Sequence, residues 1–138
     1  MKRLLIVLLI FTVLSCAKDP QTYVEFVDGY WEIEEVSMSN GLKKEYNFNA
    51  TIDYIQFTDS LSGLRRKLKP NLMGQFESSQ SVESFRIKIE NDSLNVYYST
   101  PYANWKETIL DASQTHLLVV NANKDLYLYK RYEPLDLD

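Results

Sequence analysis

The side chains that most often do chemistry in proteins are scarce in this sequence. Its 138 residues include one cysteine, Cys16, and one histidine, His116. A disulfide needs two cysteines and a zinc site needs three or four ligands, usually Cys or His, so neither kind of site is expected. A nucleophile–histidine pair would have to use His116, which follows a polar turn at residues 113–115. We interpret His116 as a half-exposed strand residue, and we predict no catalytic residue, no metal and no cofactor.

Three acidic residues, Glu32, Glu34 and Glu35, lie close together near the start of the chain. A pair of carboxylates can do acid–base chemistry when burial separates their pKa values. Glu32 and Glu34, however, alternate with Trp31 and Ile33. In a strand, alternate residues point to opposite faces. We therefore expect these carboxylates to face solvent.

One basic cluster occupies residues 65–69. On a strand, Arg65, Lys67 and Lys69 would share one face. A stripe of three cations could bind lipid phosphates or acidic sugars at a membrane surface. It could equally be a solvated strand face, or a sheet edge that charge protects against aggregation.

Tyrosines are frequent in the last part of the chain. Tyr127 and Tyr129 share one strand face, and Leu126 and Leu128 share the other. If the leucines face the core, the tyrosines form an outward ladder with rings from neighbouring strands. If the aromatic face points inward, it lines a cavity. The alternation does not decide between these arrangements.

The composition is typical of one globular domain. Apolar residues make up 45% of the chain and charged residues 25%, with only 4 Gly and 4 Pro, which excludes a disordered or low-complexity chain. A length of 138 residues is too short for two ordinary domains.

The first residues have the layout of a secretory signal peptide. Lys2 and Arg3 precede an apolar run at residues 4–14 that only Thr12 interrupts. As a helix this run would span about 17 Å, which is short of the ~30 Å hydrocarbon core of a membrane.

The apolar run ends in Val13-Leu14-Ser15-Cys16, which resembles the lipobox of bacterial lipoproteins. The resemblance implies that Cys16 receives a diacylglyceryl group, that cleavage occurs before it and that its new amine is acylated, for example with palmitate. Two or more acyl chains anchor a protein stably. Residues 1–15 would then be the signal peptide, and residues 16–23 the lipidated cysteine and a tether.

The charge and the residues after Cys16 predict the compartment. Without Lys2 and Arg3, 13 basic residues face 19 acidic residues, a net charge of −6, which makes nucleic acid a poor partner. Ala17 resembles the corresponding residue of lipoproteins sorted to the outer membrane, and Lys18-Asp19 resembles surface-export signals of Bacteroidota lipoproteins. We expect an outer-membrane lipoprotein on the periplasmic side or the cell surface.

The rest of the chain predicts an all-β domain over residues 24–134, with a tail at 135–138. Short alternating runs rich in Tyr, Val, Ile, Phe and Thr are separated by turn residues. We predict an eight-stranded antiparallel meander closed into a barrel, with a β-sandwich as the alternative. The first strand changes phase near Glu34-Glu35, which indicates a bulge. Residues 70–83 are a long polar loop or one more irregular strand. The predicted strands are residues 30–38, 51–58, 64–69, 84–90, 94–100, 105–111, 116–121 and 126–132.

At the start of the first strand, Gly29-Tyr30-Trp31 resembles the Gly-x-Trp signature of lipocalins and of lipocalin-like bacterial lipoproteins. The resemblance implies that Trp31 closes one end of the barrel and that a basic residue of the last strand packs on its ring. Lys130 and Arg131 are the candidates, and the planar guanidinium favours Arg131. The predicted barrel-closing residues are Gly29, Trp31 and Arg131.

Together these features predict a lipid-anchored, exported and non-catalytic protein. In the first hypothesis its barrel binds a small apolar or amphiphilic ligand, which requires an internal pocket of roughly 300 Å³ or more. In the alternative, the barrel is filled and an exposed apolar face docks an outer-membrane or surface protein.

Overall fold

The computed structural model describes residues 18–134. The predicted signal peptide, Cys16 and the tail at residues 135–138 lie outside the described residues. A 3₁₀ helix and a short helix α1 precede nine strands. Their bounds are Pro20–Tyr23 for the 3₁₀ helix, α1 Val24–Val27, β1 Gly29–Ser37, β2 Lys43–Glu45, β3 Ile52–Phe57, β4 Ser62–Pro70, β5 Phe76–Glu90, β6 Ser93–Ser99, β7 Asn104–Ala112, β8 His116–Asn121 and β9 Leu126–Arg131.

The strands form one antiparallel sheet that closes on itself. Each strand from β3 to β8 pairs with the next in sequence, β1 pairs with β3, and β9 returns to pair with β1. The short β2 pairs only with the far end of β1. The closed sheet therefore has the eight strands β1 and β3 to β9, so the predicted eight-stranded barrel is confirmed and the β-sandwich alternative is wrong.

Alternation in the strands builds the core. In β5, Phe85 and Ile87 are buried, while Arg86 between them and Lys88 after them are exposed. Such a period of two places every second side chain inside the barrel. The largest fully buried side chains are Trp31, Ile52, Leu94 and Leu117.

The predicted phase change in β1 is present as a shift of register. Its pairing with β9 slips between Ile33 and Glu35, so two residues of β1 oppose one step of β9. Because of this shift Val36 becomes buried, although it lies an odd number of residues after Ile33.

Two parts of the sheet need comment. Strand β5 begins at Phe76, so most of the stretch at residues 70–83 is strand, as the second of the two alternatives had it, but it extends the strand predicted at residues 84–90 and is not a separate one. Its pairing with β4 shifts register between Arg66 and Leu68, and this irregularity obscures the alternation. The short β2 was not predicted because its three charged residues carry no apolar alternation.

A helical segment lies before the barrel, where the sequence predicted a tether up to Tyr23. Asp19 starts it, since its side chain accepts a hydrogen bond from the Gln21 amide at 3.0 Å and Pro20 follows directly. Val27 at its end is buried, and Tyr23, Val24 and Phe26 pack against the barrel core. Among residues 18–134, no helix has the length and apolar character needed to cross a membrane.

The two ends of the barrel are different. The segment with α1 leads into β1 at one end, which we call the closed end. The connections β1–β3, β4–β5, β6–β7 and β8–β9 all lie at the other end, because the strands alternate in direction. We call this the open end.

The burial of each leucine predicts how much its replacement by alanine destabilises the barrel. Leu94 has 0% of its surface exposed, so Leu94→Ala should lower the free energy of unfolding by about 2–5 kcal/mol. Leu72 is 79% exposed, and Leu72→Ala should change it by no more than about 0.5 kcal/mol. Urea unfolding of the chain from Ala17 onward measures both values. Equal effects of the two substitutions would contradict this assignment of the core.

Candidate functional site

The closed end of the barrel is built around Trp31. This residue on β1 is fully buried, and its indole Nε1 donates a hydrogen bond to the Val27 carbonyl at 2.8 Å. The guanidinium carbon of Arg131 lies 3.7 Å from the centroid of its ring. At this distance the cation and the ring attract each other.

Arg131 also joins several parts of the chain through hydrogen bonds. Its Nη1 donates to the Asp28 carbonyl at 2.7 Å and its Nη2 to the Phe26 carbonyl at 3.0 Å. Its Nε donates to the Gln114 carbonyl in the β7–β8 turn at 3.0 Å. One side chain therefore holds the helical segment, β1 and the β7–β8 turn together.

Gly29 lies where no side chain fits. Its φ of +125° is unfavourable for other residues, and an added Cβ would lie 2.5 Å from Arg131 Nη1. The structure thus brings together Gly29, Trp31 and Arg131, the three residues named from the sequence. The other candidate, Lys130, instead forms an ion pair with Glu32 at 3.1 Å.

The middle of the barrel contains a charged cluster around Arg65. Its Nε donates to Glu83 Oε2 at 2.5 Å, and its Nη1 donates to Glu107 Oε2 at 3.1 Å. Its guanidinium carbon lies 4.0 Å from the centroid of the Tyr98 ring. Only 13% of the Arg65 side chain is exposed, so the proposed basic stripe on the surface is wrong for this residue.

Burial and charge set the protonation of this cluster. Burial raises the pKa of the Glu107 carboxyl, and the neighbouring Arg65 lowers it in part. Burial also raises the pKa of the Tyr98 hydroxyl. Burial disfavours the charged form of Arg65, but Tyr98, Glu107 and Glu83 outweigh it and raise its pKa overall. Arg65 is therefore a permanent cation inside the barrel.

From the Arg65 cluster toward the closed end, the barrel is nearly filled. A cavity of about 20 Å³ remains among apolar side chains and the four polar residues Asp53, Arg65, Tyr98 and Tyr129. A volume of this size has room for about one water molecule. The closed half of the barrel therefore leaves no space for an organic ligand.

Toward the open end a larger cavity, which we call the cup, has a volume of about 280 Å³. Its floor is formed by Trp31, Asp53 and Tyr129, which also line the small cavity below. Tyr127 and Tyr129 point into it, so the aromatic face of β9 lines a cavity rather than an outer ladder. The remaining residues around the cup are Ile33, Val36, Tyr46, Asn49, Thr51, Ile52 and Lys67.

The one ion pair in the cup joins a buried and an exposed partner. Asp53 Oδ1 lies 2.5 Å from Lys67 Nζ. Only 5% of the Asp53 side chain is exposed, against 53% of the Lys67 side chain. The carboxylate is thus fixed in the floor, while the lysine reaches it from the solvent side.

A second, open cleft of about 720 Å³ runs along β4 to β7. Tyr98 and Trp105 contribute stacked rings to it, with centroids 5.3 Å apart, and Phe85 meets Tyr98 edge to face. Serine, threonine and basic side chains line the rest. The cleft has no buried charged group of its own, and the cup is the better defined site.

His116 lies on the surface near the closed end. Its Nε2 is 3.1 Å from Glu34 Oε2 and its Nδ1 is 3.0 Å from Thr115 Oγ1. This carboxylate, imidazole and hydroxyl are side by side, but His116 and Glu34 are 48% and 40% exposed. None of the three residues lines the cavities described above. Among residues 18–134, no group of three or more His, Cys, Asp or Glu is arranged to hold a metal ion.

Sequence reasoning missed the acidic residues of the interior. Asp53, Glu83 and Glu107 come from three different strands and form no motif in the sequence. One signal was available, because Asp53, Ile55 and Phe57 are alternate residues of the predicted strand at 51–58 and therefore share one face. A lone carboxylate on an apolar face indicates a buried charge with a specific partner.

Large apolar side chains are exposed at the open end. They come from the β1–β3, β4–β5 and β6–β7 connections and are Leu42, Phe48, Leu72, Met73 and Tyr102.

Removing the Arg131 side-chain contacts tests their role in closing the barrel. Arg131→Met should lower the free energy of unfolding by about 1–3 kcal/mol, because it removes the cation–π contact and leaves carbonyl groups without donors. Lys130→Met, which removes only a partly exposed ion pair, should cost about 1 kcal/mol at most. Urea unfolding of both variants gives the comparison. A loss for Lys130→Met as large as that for Arg131→Met would refute a special role for Arg131.

The match to a family model agrees with this architecture. The sequence matches the family model of the lipocalin-like domain over residues 27–118, about two thirds of the chain. Among solved structures, a lipocalin-like protein from Bacteroides uniformis ATCC 8492 is 8% identical with a TM-score of 0.48, covering 76% of this chain and 97% of its own. An uncharacterized protein from Bacteroides eggerthii DSM 20697 is 13% identical with a TM-score of 0.48, covering 76% and 98%. The search of curated proteins found no match. With the family match extending over most of its closed eight-stranded barrel, this chain belongs to the family of lipocalin-like domains.

Proposed function

We propose that this chain is an exported, lipid-anchored binding protein without catalytic activity, which takes a small apolar or amphiphilic ligand into the cup. A lipocalin-like barrel suggests a ligand-binding role. The observation that carries the proposal is the contrast between the filled closed half and the cavity of about 280 Å³ at the open end. That volume is slightly below the roughly 300 Å³ expected for a ligand pocket, so the cup suits a small ligand or the end of a longer one.

The lining of the cup defines the ligand further. Aromatic and aliphatic side chains form most of its wall, and the polar groups of Asp53, Lys67 and Asn49 are few. A pocket of this kind buries an apolar body and orients it through one polar end. A small amphiphile, or the end of a longer one, fits this description.

We propose that the protein is not catalytic because its imidazole and its interior glutamates are placed unfavourably for acid–base chemistry. The imidazole of His116 is exposed and borders none of the cavities. The carboxylates of Glu83 and Glu107 are both held by Arg65. Neither group has the free position beside a substrate cavity that acid–base chemistry requires.

The proposed lipid anchor gives the barrel an orientation. Cys16 precedes Lys18 by two positions, and two residues span at most about 7 Å. Lys18 lies near the closed end, with its Nζ 3.9 Å from Asp111 Oδ1 near the end of β7. Acyl chains on Cys16 would therefore hold the closed end toward the membrane, and the cup would open away from it.

A second candidate function is docking of a protein partner at the open end. The exposed side chains of Leu42, Phe48, Leu72, Met73 and Tyr102 favour it, because apolar groups collected at one end of a molecule mark interaction sites. In this case the cup would have no function of its own and would bind no small molecule.

Narrowing the cup tests ligand binding. Thr51 is exposed at its rim, so Thr51→Trp should fill part of the cup and weaken binding of octanol, octanoate or octylammonium by about tenfold or more. Ser60→Trp, an exposed change in the β3–β4 turn, should leave binding unchanged. Isothermal titration calorimetry of the chain from Ala17 onward measures both. If the unmodified domain binds none of the three amphiphiles, the ligand-binding proposal is wrong and the docking function is favoured.

Metabolic labelling tests the anchor. The full-length chain expressed in a Gram-negative host should incorporate an alkyne analogue of palmitate and fractionate with membranes, because Cys16 supplies the acceptor thiol and amine. Cys16→Ala should abolish both, and Ala17→Ser, which keeps the cysteine, should retain them. If Cys16→Ala still incorporates the label, Cys16 is not the residue that carries the acyl chains, and the proposed anchor is wrong.

A further inference from the structure

We propose that the cup selects ligands with a positively charged group, such as a protonated amine, which takes the place of the Lys67 ammonium on Asp53. This inference rests on the proposed function and names the chemical class of the ligand. It follows from the charges in and below the cup, from the exposure of Lys67 and from the rings that line the wall.

The fixed charges near the cup are mostly negative. Asp53 is in the floor, and Glu83 and Glu107 lie in the layer around Arg65. Arg65 is the buried cation among them, and its Nε and Nη1 are already bound to these two glutamates. Without Lys67, the carboxylates of this region outnumber the cations, so a ligand with positive charge is attracted to the floor.

Lys67 occupies the position that a ligand cation would need. Its Nζ lies 2.5 Å from Asp53 Oδ1, but more than half of its side chain is exposed. A lysine on a flexible stem can return its ammonium to water, whereas the buried Asp53 cannot follow. Buried carboxylates are unfavourable without a partner, so Asp53 keeps a cation and exchanges one ammonium for another.

An anionic ligand finds a less favourable position. The cation it could reach, Lys67, is paired with Asp53, so an anion on Lys67 would lie beside this buried carboxylate. Its carboxylate would approach Asp53 directly and would have to displace a glutamate to reach Arg65. The two negative charges, on the ligand and on Asp53, would repel each other, and this repulsion disfavours anionic ligands. A fatty acid is therefore a poor ligand for this cup, although a neutral chain of the same length fits it.

The aromatic residues support the same choice. Tyr127 and Tyr129 line the cup, and tyrosine rings attract cations over their faces. The third ring of the cup, that of Tyr46, already has the Lys44 ammonium 4.9 Å from its centroid. The inside of the same barrel already shows this contact, since the Arg65 guanidinium lies over the Tyr98 ring. A protonated amine on Asp53 would have both a carboxylate and tyrosine rings around it.

Three amphiphiles with the same chain and different charges separate the possibilities. Octylammonium should bind the domain about tenfold more tightly than octanol, and octanoate should bind most weakly. In Asp53→Asn, which keeps the size of the side chain, the preference for octylammonium over octanol should disappear. Lys67→Met removes the competing ammonium and should tighten octylammonium binding by about fivefold or more. Lys69→Met, two residues along β4 and also exposed, is the matched control and should change nothing.

Calorimetry with each variant, after urea unfolding has shown that it is folded, decides the result. Octanol or octanoate binding as tightly as octylammonium, or a preference unchanged in Asp53→Asn, would overturn the inference and leave the proposed function in place. Failure of all three amphiphiles to bind would overturn both. If Lys67→Met does not fold, the order of the three ligands and the Asp53→Asn variant decide the question without it.

Discussion

The contact between Arg131 and Trp31 is the interaction on which the rest of the barrel depends. The two residues are directly paired where β9 meets β1, so their contact lies on the seam that closes the sheet. A slip of one residue at this seam would turn every side chain of a strand to the opposite face. Because the guanidinium also binds carbonyl groups of the helical segment and of the β7–β8 turn, it fixes this register from three sides. The inward direction of Tyr129, and with it the floor of the cup, follows from the register set there.

Charged groups divide the interior into two parts. Burying an arginine is costly, but Arg65 has a carboxylate on each of two sides and an aromatic ring below it. Above this layer lies the cup, whose lining includes the charged pair Asp53 and Lys67. The ion pairs of Arg65 are mostly buried, whereas the ion pair of the cup, Asp53 with Lys67, has a lysine that is more than half exposed.

Much of the fold could be predicted from the sequence, because period-two alternation and turn residues are local signals. The eight barrel strands and the register shift in β1 follow from them, and the short Gly29-Tyr30-Trp31 motif indicated where Arg131 would lie. The site was harder to predict. Alternation shows that Tyr127 and Tyr129 share a face, but not which face is inside, and the inner surface of this barrel accepts Arg65 and Glu107 as well as apolar residues. Segments too short to have a period, such as β2 and α1, gave no such signal.

The position of the helical segment has a mechanical consequence. If the chain is held through Cys16, any pulling force enters the domain at Lys18 and passes along the 3₁₀ helix and α1 toward β1. After the exposed ion pair of Lys18 with Asp111, the hydrogen bonds that carry that load are those of the Phe26, Val27 and Asp28 carbonyls to the side chains of Arg131 and Trp31. They lie outside the strand pairing, so they can yield and re-form while the ladder between β1 and β9 stays intact. Because Trp31 also forms part of the floor of the cup, strain at the anchor would reach the cup through this one side chain.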